Sequence, residues 1–85
     1  MQYAEATGRM IGAARVMAGL DQGELAHLAG VSPSTVSNVE AGRTEARAAT
    51  LKALRKALKR EGVTLTHDAS NGNISVVKSY DPDED

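Results

Sequence analysis

The stretch Asp21 to Gly42, DQGELAHLAGVSPSTVSNVEAG, constrains the rest of the chain because it dictates two short helices and the tight turn between them. Asp21 carries an acceptor suited to the free amides of a helix start. Glu24, three residues on, completes a capping-box pair ahead of the apolar stripe Leu25, Leu28 and Ala29. Gly30 predicts the left-handed residue at which helices commonly stop. Ser32 as cap and Pro33 at the first helical position then restart the chain, so the turn is about three residues long. The second helix, over residues 32–41, points Val36 and Val39 inward at i, i+3 spacing. This leaves Ser34, Thr35, Ser37 and Asn38 as an outward face of short hydrogen-bonding side chains, a chemistry able to read base edges.

The longer run GLDQGELAHLAGVSPSTVSNVEAGR resembles the Cro/C1-type (XRE) helix-turn-helix family. It matches that pattern in a Gln after the first cap, Glu-Leu-Ala, Ala-Gly-Val-Ser and an inward Glu before the closing Gly. The resemblance covers roughly Met10 to Leu58. It implies a mainly α, four-helix, lambda-repressor-like DNA-binding domain whose second motif helix enters the major groove of double-stranded DNA. The expected protein is a cytoplasmic bacterial or phage transcriptional regulator with no cofactor. The chain departs from many relatives at its end, where strands are expected in place of a fifth helix.

Net charge tests this reading, because −1 over 85 residues looks wrong for a partner of phosphate. The charges are divided, however. Residues 1–60 hold nine Lys/Arg against five acids, a net +4, whereas residues 61–85 hold Lys78 against six acids, a net −5. A basic portion can attract phosphate while an acidic end faces away. The absence of cysteine rules out disulfides and thiolate metal sites, and no apolar run approaches a membrane span. The opening MQYAEATGRM lacks the basic-then-apolar order of a secretory signal.

Before the motif, the alanine-rich segment from Ala4 to Ala18 predicts a helix with Ile11, Ala14, Arg15 and Ala18 on one face. Gly8 and Gly12 weaken it by up to about 1 kcal/mol each, so tertiary packing must hold it. Gly19 ends it. Arg15 on the core side costs several kcal/mol unless paired, and Glu40 lies on the inward stripe of the second motif helix. The two are expected to meet as a structural ion pair, as the resemblance also implies. After Gly42, a polar loop carries Arg43 and Arg47, and Ala48 to Arg60 predicts a helix with Leu51, Leu54 and Leu58 inward and Lys52, Lys56 and Lys59 in solvent. Gln22 and Ser32, at the helix starts, join Arg43 and Arg47 as expected phosphate contacts.

At Gly62 the period changes to two. Val63, Leu65 and His67 alternate with polar residues, Asn71-Gly72 signals a type I′ turn, and Ile74-Ser75-Val76 resumes, which predicts a β-hairpin over residues 61–78. The acidic segment 79–85, SYDPDED, is expected to be disordered. With the helical core assigned to Leu25, Leu28, Val31, Val36, Val39, Leu51, Leu54 and Leu58, the hairpin face of Val63, Leu65, Ile74 and Val76 is left over. That face is expected to make a homodimer on a palindromic site. The competing arrangement packs the hairpin on its own last helix and dimerises elsewhere.

His27 and His67 lack partners at metal-ligand spacing, and no nucleophile has an evident base, so neither a metal site nor catalysis is expected. A protein partner belonging to the transcription machinery is compatible with the same motif. An alternative function is an antitoxin-type regulator that also binds a toxin through its hairpin or tail. A ribonuclease-like or kinase-like reading frame beside this one would favour that alternative.

Overall fold

The computed structural model describes residues 3–44, 46–68 and 73–78. Four helices come first: α1 (Tyr3–Met17), α2 (Gln22–Ala29), α3 (Pro33–Glu40) and α4 (Ala48–Arg60). An antiparallel pair, β1 (Val63–Asp68) and β2 (Asn73–Lys78), follows. The element order expected for residues 1–78 is present, and α4 has the expected bounds. The segment 79–85 and the expected Asn71-Gly72 turn lie outside the described residues.

Local chemistry accounts for the motif's boundaries. Asp21 Oδ1 accepts from the Glu24 amide at 2.7 Å and Glu24 Oε1 accepts from the Asp21 amide at 2.9 Å, a complete capping box. Gly30 stops α2 at φ 73°, and the Val31 amide reaches back to the Ala26 carbonyl at 3.0 Å. Ser32 Oγ then accepts from the Thr35 amide at 3.2 Å, with Pro33 first in α3.

The core is built from Ile11, Ala14, Leu25, Ala26, Val36, Val39, Leu54, Ala57, Leu58 and Val63, all buried. Leu20, Val31 and Leu51 are partly buried against it. Leu28 is corrected: it is 40% exposed. The buried side of α2 is centred on Leu25, Ala26 and Ala29, and at about 100° per residue Leu28 is rotated roughly a quarter-turn or more off that centre.

The hairpin is also corrected. Val63 is fully buried in its own chain's core, and Leu65 and Val76 pack against that core. The ribbon lies on α1 and α4. The face expected to await a second subunit is therefore used within the chain at these three residues, close to the competing arrangement. A two-stranded ribbon is marginal alone, and the open side of the helical layer supplies the apolar surface it needs. Register differs too. Leu65 pairs with Val76 and Asp68 with Asn73, whereas a two-residue Asn71-Gly72 turn would bring Ser70 opposite Asn73. The offset is an even number of residues, so Val63, Leu65 and Val76 stay on the core face.

Gly8 and Gly12 bring α1 onto α3. A Cβ on Gly8 would lie 2.1 Å from the Val39 carbonyl oxygen, and one on Gly12 would lie 3.2 Å from Glu40 Oε1. The glycines that weaken α1 as a helix are what allow it to pack. Gly8→Ala should lower stability by about 1 to 3 kcal/mol despite alanine's better helix propensity, because the obstacle is backbone. Thermal and urea melts check this, and a stabilised Gly8→Ala protein would contradict the close approach.

Candidate nucleic-acid interface

The interface is held together by one carboxylate. Glu40, at the end of α3, accepts from Arg15 Nε at 2.7 Å and from Arg15 Nη2 at 3.1 Å, a two-point pair between α3 and α1. Arg15 Nη1 donates to the Leu20 carbonyl at 2.9 Å, and Gln22 Nε2 donates to Glu40 Oε1 at 3.1 Å. The expected meeting of Arg15 and Glu40 is thus present, with side chains only 18% and 10% exposed. Hydrogen bonding to Glu40 raises the Arg15 pKa above its ordinary value, against the opposing effect of desolvation, with Coulombic help from Glu40 and Asp21. Gln22 is committed to this cluster by one amide donor, a bond that sequence spacing did not reveal.

The network fixes α3 relative to α1 and α2, and so aims its outward face. Ser34 is exposed, while Thr35, Ser37 and Asn38 are partly exposed. Ser32 Oγ lies 3.1 Å from Ser34 Oγ and 2.8 Å from Thr35 Oγ1, forming a small hydroxyl cluster at the start of α3. At the other end, Arg43 Nη1 donates to Asn38 Oδ1 at 3.2 Å. This bond leaves both Asn38 Nδ2 donors and one Oδ1 lone pair for a base edge.

Thr35 and Asn38 share a concavity of about 390 Å³ with Arg47, Thr44 and Thr50. The structure therefore brings Arg47 beside two of the four expected base-reading residues and places Arg43 against Asn38. Ser37 and Ser34 are on α3 outside this concavity, and Gln22 and Ser32 are at the starts of α2 and α3. Thr44 and Thr50 were not anticipated as part of the site. Thr50 sits in the first turn of α4, whose N-cap residue Arg47 gives no side-chain cap, so among the described residues no side chain caps the first-turn amides, a position that suits an anion. Only the packing of α4 on α2 and α1 brings this helix start beside the α3 residues of the concavity.

The family model described as Helix-turn-helix matches residues 11–65, well over half of the chain. No curated protein matches the chain. The chain belongs to the Cro/C1-type (XRE) helix-turn-helix family, a family of DNA-binding transcription regulators. No helix among the described residues is long and apolar enough to cross a membrane.

Glu40 is largely shielded and needs its cation. Arg15→Leu should therefore destabilise the fold by about 3 kcal/mol by stranding that carboxylate, while Arg15→Leu combined with Glu40→Leu should recover much of the loss. Chemical denaturation of both variants checks this. An Arg15→Leu protein as stable as the parent would mean that the pair is not holding α1 to α3.

Proposed function

We propose that this helix-turn-helix regulator binds specific double-stranded DNA, with α3 in the major groove and Ser34, Thr35, Ser37 and Asn38 facing the bases. The carrying observation is the outward polar face of α3, aimed by the Glu40 network and bordered by Arg43 and Arg47. Asn38 offers the sharpest discrimination because an amide can bond an adenine edge at two points, whereas a serine hydroxyl discriminates less. Gln22, Ser32, Arg43 and Arg47 fix the docking on phosphate. Two of them stand at helix starts, where amide donors and the dipole favour an anion.

One motif of this size covers little DNA, so the reading includes a homodimer on a palindrome, its two α3 helices about 34 Å apart. Val63, Leu65 and Val76 are used within the chain, which moves the dimer contact off the hairpin's inner face. Val77, on the outer face of β2, is 53% exposed and open to such a contact. Selection of bound sequences from random duplexes, followed by footprinting, tests the whole reading. A symmetric footprint with two half-sites supports it, and uniform protection without sequence preference sinks it.

Asn38→Ala should lose about 1 to 3 kcal/mol of discrimination at one base position while leaving other positions intact. A selected-sequence profile identical to the parent's would remove Asn38 from the base contacts. Arg47→Ala should weaken all sequences alike and reduce the magnitude of the salt slope by about 1. Affinity measured over a salt series checks this, and an unchanged slope would take Arg47 off the backbone.

A further inference from the structure

Four of the five cations of helix α4, Lys52, Arg55, Lys56 and Lys59, stand at i, i+3, i+4 and i+7, which forms a single stripe. All four are exposed, and α4 contains no acid to offset them. The one salt bridge among the described residues joins Arg15 and Glu40 and involves none of them. The stripe borders a groove of about 500 Å³ between α4 and β1, whose floor is apolar through Leu51 and Leu65. Arg55 Nη2 donates to the Leu65 carbonyl at 3.3 Å, tying the stripe to the strand. A cationic stripe beside an apolar floor suits an acidic segment that also brings an apolar side chain. A phosphate backbone would satisfy the cations but leave that floor uncovered.

The chain carries such a segment. Residues 79–85, outside the described part, read SYDPDED: one tyrosine with four carboxylates, against four cations in the groove. Its attachment point is close by. Lys78 ends β2 opposite Val63, and Val63 follows α4 after only Glu61 and Gly62. Seven residues can span about 24 Å when extended. The stretch of α4 from Lys59 back to Lys52 rises only about 10 Å. We propose that the groove between α4 and β1 docks the chain's own segment 79–85, with carboxylates on the lysine and arginine stripe and Tyr80 on the Leu51–Leu65 floor. Docking neutralises charge from Lys52 onward, five residues after Arg47. It therefore shields the cationic face from phosphate, a consequence that rests on the DNA-binding reading above.

The chain has no cysteine, so a nitroxide on E84C is a unique label in the 85-residue chain. At low ionic strength the label should broaden the amide signals of Lys52 to Lys59 selectively. The broadening should disappear at high salt, where charge pairs are screened, and in the K52Q/K56Q/K59Q protein. Absent or evenly spread broadening overturns the docking. Broadening seen only between a labelled chain and a separate isotope-labelled one also overturns it, by assigning the groove to a second copy. These measurements need no DNA, so they stand whether or not the DNA-binding reading does. The shielding has its own readout. The D81N/D83N/E84Q/D85N protein should bind a random duplex severalfold more tightly than the parent at low salt, and equal affinity overturns the shielding.

Discussion

The Glu40 carboxylate is the point on which three helices converge. It takes two hydrogen bonds from Arg15 of α1 and one from Gln22 of α2 while belonging to the last turn of α3. A partly buried charge of this kind adds little net stability compared with an apolar replacement, but it is costly to leave unpaired. Its consequence is therefore orientation. Geometries of α3 that part Glu40 from Arg15 are penalised, and the outward face of α3 is held in one direction. Gly8 and Gly12 belong to the same device, since side chains there would meet the end of α3 before the pair could close.

The hairpin is a structural part of the helical domain at its inner face. Burial of Val63 and the packing of Leu65 and Val76 close the side of the core between α1 and α4. In a chain of 85 residues this matters, because small domains bury a modest fraction of their surface and need each apolar element. The arrangement also places β1 alongside the basic stripe of α4, so one packing contact completes the core and builds the cationic groove.

Charge is segregated accordingly. The helical portion is positive and the C-terminal portion negative, so the field near α3 and α4 differs from the one that net charge alone predicts. Arg43 lies against Asn38 and Arg47 against the Thr35–Asn38 concavity, which places two cations beside short polar side chains on one side of the molecule.

By itself, the sequence determined the features that depend on near neighbours. Caps at Asp21 and Ser32, the stop at Gly30, the bounds of α4 and the alternation of the strands follow from backbone chemistry within a few residues, and all appear in the structure. The pairing of Arg15 with Glu40 was also legible, because two charges on inward faces have few partners to choose from. Tertiary structure decided what depends on how faces meet. Leu28 had the right residue type and spacing for the core, but the rotation of α2 against its neighbours turned it outward. Val63, Leu65 and Val76 formed a recognisable apolar face, yet nothing local said whether that face would meet another subunit or the chain's own α1 and α4. Gly8 read as a weakness in a helix until α3 was placed against it. Thr50 joined Asn38 only through the approach of α4, since periodicity assigns a residue to a face but carries no information about what that face will touch.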